Sequence, residues 1–279
     1  KTTKLRHEVR ITQYLATLEA LMKDLSGQTI IVTGGGKGIG RGITTAFAKA
    51  GAHIAICGRS TPETFDSDIA DRIHFIELDI REAESAEKLL DFAASFGHPV
   101  TTLINNAGGG PPVASAEASA SLTEKVIKLN LLAPIYLSQA AYNYMRANEV
   151  NGSIINISSV SATRSSPGTV AYGAAKAGLI NVTTSLAMEW APDVRVNAII
   201  VGLVKTEASE SHYGGEKGMA YLADNLPMKR MGQPQDIAHA CLFLADPESA
   251  YVSGACLEVF GGGEPPSFLK ITQDAAAQK

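Results

Sequence analysis

The sequence predicts an α/β domain, a doubly wound and mostly parallel sheet of seven strands with helices on both faces. Three observations predict it. Short β-branched runs alternate with amphipathic helical stretches from Leu25 onward, as parallel strands joined by right-handed crossovers require. A glycine-rich turn, Thr33-Gly34-Gly35-Gly36-Lys37-Gly38-Ile39-Gly40, joins the first run to the first helix. No linker rich in Pro, Gly or Ser and no repeat of fixed period divides the alternation, so a single domain over residues 25–263 is the simpler reading.

The elements follow in order. Residues 1–24 are an extension in which Leu15, Leu18, Leu21 and Leu25 recur at helical spacing. Residue 1 is not methionine and Met22 opens a segment that would serve as a start, so the extension reads as a leader or an appended remnant. Thr29-Ile30-Ile31-Val32 is a continuous apolar run, the pattern of a strand buried on both faces. Ile39, Ile43 and Phe47 then mark one apolar helix face. Strands follow at Ala52–Cys57, ending in Gly58-Arg59, and at Ile73–Leu78, ending in Asp79. Residues 81–95 read as a helix, Val100–Asn105 as a strand and 121–148 as one long helix. Ser153–Ile157, a second long helix over 169–190, Val194–Val201, a helix over 234–245 and Leu257–Phe260 complete the set. Residues 264–279 form either a loose tail or a subunit contact.

Composition excludes several classes. Net charge is −4 with no basic cluster, which argues against nucleic acid and against an anionic membrane surface as partners. No stretch is apolar enough to be expected to cross a membrane. The three cysteines, Cys57, Cys241 and Cys256, are odd in number and far apart, as expected of reduced core residues in a cytoplasmic protein. The histidines fall in no ligand pattern, so no metal site is expected.

Two motifs carry chemistry. The glycine loop lacks both the G-x-G-x-x-G fingerprint and Walker A, but it has T-G-x-x-x-G-x-G at Thr33, Gly34, Gly38 and Gly40. Between a buried strand and a helix, such a loop brings a pyrophosphate close to the backbone, where free N–H groups and the positive dipole end meet it. Its bland reading is a tight turn needing positive φ. In the second motif Tyr172 and Lys176 stand one helical turn apart, so phenol and ammonium share a face. A cation there favours the phenolate and suits the tyrosine to proton exchange near neutral pH. Alone, this pair reads rather as an amphipathic helix with a half-buried tyrosine and a solvated lysine.

The loop, Asn105-Asn106-Ala107-Gly108, Ser158-Ser159 and the Tyr172/Lys176 pair together resemble the classical short-chain dehydrogenases/reductases, in order and spacing from Leu25 to Gly262. Arg230-Met231-Gly232-Gln233-Pro234 and the residues after it are similar to that family's C-terminal part. The resemblance implies a Rossmann-like domain that moves a hydride between a nicotinamide dinucleotide and a carbonyl or secondary alcohol. It makes Tyr172 the proton donor or acceptor and Lys176 the group that lowers its pKa and holds the nicotinamide ribose. Ser159, rather than Ser158, would bind the substrate oxygen, and Asn130 would support a water chain to the lysine. It places Gly34, Gly36, Lys37, Gly38, Ile39, Gly40, Arg59, Asp79, Ile80, Asn106, Ala107, Gly108, Gly202, Val204 and Thr206 against the dinucleotide. Asp79 would face the adenine edge and Thr206 the carboxamide. Association as a homodimer or homotetramer through 121–148 and 169–190 is also implied.

An acidic residue that would take the ribose hydroxyls of NAD is missing after the second strand, where Gly58-Arg59 stand instead. With Lys37, Arg59 suits a 2′-phosphate, so NADP(H) is favoured while NAD(H) stays open. Val201-Gly202 replaces the family's usual Pro-Gly and removes a fixed φ. Residues 207–228 suit a mobile lid, in which His212 and Tyr213, with Ser161 opposite, are candidate substrate contacts. Arg164 reads either as a partner for an anionic substrate group or as a surface arginine. The expected function is reduction of a small-molecule ketone, on an acyl thioester, a ring or a small molecule. The alternatives are an NAD-dependent secondary alcohol dehydrogenase working in the oxidising direction and a non-catalytic dinucleotide sensor.

Overall fold

The computed structural model describes residues 24–209 and 213–277; the helical spacing of Leu15, Leu18 and Leu21, and His212, lie outside them. The strands are β1 (Thr29–Thr33), β2 (His53–Gly58), β3 (Ile73–Glu77), β4 (Val100–Asn105), β5 (Gly152–Ser159), β6 (Val194–Val201) and β7 (Cys256–Val259). They form one sheet in the order β3-β2-β1-β4-β5-β6-β7, and every pairing is parallel. The helices are α1 (Gly38–Lys49), α2 (Ser85–Ala94), α3 (Ala120–Ile127), α4 (Ala133–Ala147), α5 (Val170–Glu189), α6 (Gly215–Asn225), α7 (Pro234–Ala245) and α8 (Ser267–Ala277).

Period-two alternation divides the core into two layers. Ile30, Val32, Ile54, Ile56, Ile104, Ile155 and Ile199 face Ile43 and Phe47 of α1 and Ile237, Cys241 and Leu244 of α7. Their chain neighbours Ile31, Ala55, Leu103 and Ile154, with Val196 of β6, face Leu89 and Leu90 of α2 and Leu137, Ala141 and Met145 of α4. Each fully buried Ile, Leu or Phe contributes roughly 1.5–3 kcal/mol of transfer free energy, so the two layers dominate the stability of the fold. Cys57 and Cys241 are buried within them as free thiols, and burial pushes the Cys57 thiol up to about 12. The reduced-core expectation therefore fits these two, while Cys256 is only partly buried.

The helix expected over 121–148 is interrupted. Between α3 and α4 the backbone widens into a π-turn at Lys128–Leu132. Pro134, in the first turn of α4, has no N–H to give the Asn130 carbonyl four residues earlier, and the helical ladder loosens there. The Asn130 side chain, fully buried, turns out of this widened segment toward the loop after β4. At the other end of the chain, α7 opens with a capping box between Gln233 and Asp236, and Arg230 pairs with Asp236 at 2.6 Å. The expected lid contains α6, which is held by a small apolar cluster of Met219, Leu226 and Met231. The last residues form α8, with Phe268, Leu269 and Ile271 exposed.

Candidate active site

The chain order runs outward from β1 to β3, then restarts at β4 and runs the other way. The crevice at such a reversal, beyond the carboxyl ends of the strands, is where doubly wound sheets bind ligands. A cleft of about 1130 Å³ lies here, lined by the glycine loop, the ends of β2, β4, β5 and β6, and the N-terminal part of α5. That is room for a dinucleotide and a small substrate together.

The glycine loop forms one wall. Gly38 has φ +50, and a Cβ on Gly40 would lie 2.2 Å from the Gly34 carbonyl oxygen, so neither position accepts a side chain without a shift. Lys37, exposed, stands at the N-cap of α1. The loop is tied to β4 through Thr33, whose hydroxyl accepts from the N–H groups of Asn106 and Ala107, both at 2.9 Å. Asn106 Nδ2 donates back to the Thr33 carbonyl at 2.8 Å. Asn106 thus joins the ends of β1 and β4. Gly36, Ile39, Ala107 and Gly108 line the cleft beside them.

At the adenosine end, Arg59 is exposed after β2, and Asp79 and Ile80 follow β3. Asp79 is engaged by Arg81, whose guanidinium donates to both carboxylate oxygens. This hydrogen bonding, and the charges of Arg81 and Arg59, hold the Asp79 carboxyl below its usual range. Arg81 is a cation that the sequence reading passed over; its signal was Asp79-Ile80-Arg81, two like-facing positions of opposite charge. Arg41 was passed over as well. It donates to the carbonyls of Gly36, Glu63 and Thr64 and lies 4.1 Å from the Phe65 ring, which fastens the loop after β2 over α1.

At the opposite end, the terminal residues of β5 and the first turns of α5 interlock. Ser158, buried, donates from Oγ to the Lys176 carbonyl at 3.1 Å, and Lys176 Nζ donates to the Ile157 carbonyl at 2.7 Å. Strand alternation sends Ser159 the other way, into the cleft, where its hydroxyl accepts from the Ser161 N–H at 3.2 Å. Ser159 is also a hydrogen-bond partner of Tyr172. Lys176 Nζ lies 5.7 Å from the Tyr172 ring centre.

The electrostatics differ from the sequence expectation. Burial raises the Tyr172 phenol above its ordinary value, and the Ser159 hydrogen bond works in the opposite direction. Burial also lowers the Lys176 ammonium to about 8. The lysine is thus mostly protonated at neutral pH, and desolvation is the larger influence on the phenol. The Asn130 side chain is held by the loop after β4 and by α3. Its Oδ1 accepts from Gly109 N–H at 2.8 Å, and its Nδ2 donates to the carbonyls of Gly109 (2.8 Å) and Val126 (2.9 Å). It clamps the Gly108-Gly109 turn against α3, close to Lys176.

The far wall is formed by Gly202, Val204 and Thr206 after β6, with Ser161, Arg164 and Tyr213 at the open end. Val204 is buried and bridges to Gly232, which ties down the loop that follows Val201-Gly202. Arg164 pairs with Glu264 at 2.8 Å. Burial raises the Tyr213 phenol, with the charges of Glu264 and Tyr172 adding to it and Arg164 opposing. Of the candidate site residues, only His212 lies outside the described ones. Among the described residues no His, Cys, Asp or Glu group could hold a metal, and no helix is long and apolar enough to cross a membrane.

A doubly wound parallel sheet with a glycine loop at its switch point and a Ser–Tyr–Lys group across the cleft defines a nucleotide-dependent oxidoreductase fold. Comparison with known proteins agrees. A sequence profile described as Enoyl-(Acyl carrier protein) reductase matches residues 27–263. Glucose 1-dehydrogenase 2 of Bacillus subtilis (strain 168) is 33% identical over 250 residues, covering 87% of this chain and 96% of that protein. A crystal structure of a short-chain dehydrogenase/reductase, glucose/ribitol dehydrogenase, from Brucella melitensis superposes with a TM-score of 0.79 at 28% identity, covering 86% and 98% of the two chains. A structure described as ElxO with NADP bound superposes with a TM-score of 0.77 at 28% identity, covering 84% and 98%. The chain belongs to the short-chain dehydrogenase/reductase family. It is an NAD(P)-dependent oxidoreductase of the kind that acts on alcohols and ketones.

The residues present fit a nicotinamide dinucleotide. At Gly108 a Cβ would meet Asn130 Oδ1 at 2.7 Å and Lys176 Nζ at 3.1 Å, so the wall is backbone held close to a buried amine. The loop of β1 and α1 offers N–H groups at a helix N-terminus. Bound there, a dinucleotide would supply hydride chemistry, and the chain would supply orientation, a buried amine and hydroxyls able to hold an oxygen and exchange a proton.

Proposed function

We propose that the protein is an NADP(H)-preferring reductase that converts a small-molecule ketone to a secondary alcohol. The observation that carries the cofactor reading is the end of β2. Gly58 occupies the position where a carboxylate would take the ribose hydroxyls, and the exposed cations Arg59 and Lys37 line the same cleft. In this reading Ser159 holds the substrate oxygen and Tyr172 exchanges a proton with it. Lys176 and Asn130 support the nicotinamide side. Ser161, Tyr213 and His212 contact substrate, and Gly202, Val204 and Thr206 hold the carboxamide end. The NADP-bound relative is compatible with the cofactor assignment.

A second reading, NAD-dependent oxidation of a secondary alcohol, is favoured by the name of the glucose 1-dehydrogenase relative. Thermal-shift titration with NADPH and with NADH, followed by turnover of a panel of ketones, 3-oxoacyl thioesters and aldoses, tests the two together. Stabilisation by NADPH with ketone turnover is expected. Stabilisation by NADH with aldose oxidation would replace the first reading by the second. Dinucleotide binding without turnover on the panel would favour a sensor. We also propose self-association through α3–α4 and α5, where Val170 and Met188 of α5 are exposed. Light scattering reads that state directly.

A further inference from the structure

The glycine loop is partnered by a residue of the opposite wall. The Gly38 N–H, in the first turn of α1, donates to Glu207 Oε2 at 3.1 Å. Glu207 follows Thr206, whose methyl group would lie 3.3 Å from a Cβ on Gly38, so the two walls of the cleft touch at this point. The side chain of Glu207 is exposed, but the backbone turn that carries it is held. Ser209 is buried, its hydroxyl accepts from the Thr206 N–H at 2.7 Å and it donates to the Val204 carbonyl at 3.3 Å, which fixes the turn that presents Glu207.

A carboxylate oxygen on a free helix N–H is chemically a stand-in for a phosphate oxygen. The same partial positive charge and the same donor serve both anions. Two anions cannot share the site without repulsion, because like charges at a few ångströms oppose each other even in a partly solvated cleft. We infer that Glu207 competes with the dinucleotide pyrophosphate for the first turn of α1 and thereby sets dinucleotide affinity. The inference rests on the family's use of NAD(P), and it is independent of which dinucleotide the enzyme prefers. Binding displaces the carboxylate from Gly38 and releases the turn at Thr206–Ser209 from the loop. Dissociation lets the carboxylate return. The segment that begins the lid is in this way linked to occupancy of the pyrophosphate position, through a residue that touches no reacting atom.

The test is direct measurement of dinucleotide affinity by isothermal titration calorimetry for the wild type, Glu207→Gln and Glu207→Ala, with NADPH and with NADH. Removing the charge is expected to tighten both dinucleotides about three- to fivefold, the scale of an exposed charge interaction. The gain should shrink in high salt. A fragment without the pyrophosphate, 2′-AMP, should bind the variants and the wild type alike. Amide hydrogen exchange at Gly38, measured without nucleotide, should be faster in Glu207→Ala than in the wild type. Unchanged or weaker dinucleotide binding in both variants would overturn the inference, as would a gain for one dinucleotide only. If neither dinucleotide binds the wild type while Gly38 exchange still responds to Glu207, the cofactor assignment and the competition both fall, and only the contact stands.

Discussion

Ser158 and Lys176 are bound to each other through the backbone: the serine hydroxyl donates to the lysine carbonyl at 3.1 Å, while the lysine amine donates to the carbonyl of Ile157 at 2.7 Å. The end of β5 and the first turns of α5 are therefore locked as one piece. Ser159 on the strand and Tyr172 on the helix face each other across that lock, and their spacing depends on it. Adjacent serines thus have separate work, one inside the protein and one in the cleft.

This separation predicts different phenotypes. Ser158→Ala leaves the Lys176 carbonyl buried without that donor and is expected to lower stability by about 1–2 kcal/mol, with turnover reduced only modestly. Ser159→Ala is expected to leave the denaturation midpoint close to the wild type and to lower kcat at least about tenfold. Urea titrations and steady-state kinetics on both variants decide it. Equal losses of activity at unchanged stability would show that the two hydroxyls are not divided in this way.

Lys176 predicts a trade between stability and activity. Its folded-state pKa is lowered by burial from the ordinary 10.5 to about 8. The unfolded chain therefore binds more protons than the folded one between those values, and stability should rise as pH climbs from about 8 toward 10.5. Below pH 8 the full cost of the buried cation is present, on the order of 3 kcal/mol. Lys176→Met removes that cost and also the hydrogen bond to Ile157, so a higher melting temperature at pH 7 is expected together with loss of turnover. In the variant the rise of stability between pH 8 and 10 should flatten. A lower melting temperature would mean that the hydrogen bond outweighs the desolvation.

The layers of the fold were legible because β-branched runs and helical periodicity report burial directly. Thr29–Val32 and Val194–Val201 needed no partner to be read. The long helix over 121–148 was not fully legible, because the π-turn at Lys128–Leu132 depends on Pro134 and on where Asn130 finds donors and acceptors in a loop distant in sequence. The site was legible where spacing within one element sets geometry, as for Tyr172 and Lys176. It was not legible where two walls meet: Glu207 on Gly38 and Arg41 on Glu63 each come from segments whose approach no local pattern encodes, whereas Arg81 stands two residues from Asp79 and was within reach of the sequence. Desolvation, which raises the Tyr172 phenol here, is a property of the packed cleft and not of the helix, so no spacing reports it.

Tyr172→Phe tests the proposed proton route. The ring keeps its packing and loses only the hydroxyl, so dinucleotide affinity should stay within about twofold of the wild type, whereas kcat should fall at least about a hundredfold. Normal ketone reduction by this variant would remove Tyr172 from the chemistry.

Arg59 carries the last prediction. It is exposed at the end of β2, and its charge reaches Asp79, so it can approach a 2′-phosphate without first breaking a buried contact. Arg59→Asp places a carboxylate directly after Gly58, beside the position where NAD-binding proteins of this fold commonly hold the ribose hydroxyls. It removes an attractive charge for the phosphate and adds a repulsive one, and both changes act against NADPH. NADPH affinity should fall at least about tenfold while NADH affinity holds or rises. The effect on NADPH should weaken with added salt, because the group is exposed. Arg59→Gln separates the two contributions, since it removes the attraction alone and should lose less. Binding titrations with both dinucleotides at low and high salt read all of this. If Arg59→Asp bound NADPH as well as the wild type does, Lys37 and Arg81 would have to supply the phosphate site, and the same titrations on Lys37→Ala and Arg81→Ala would show which of them does.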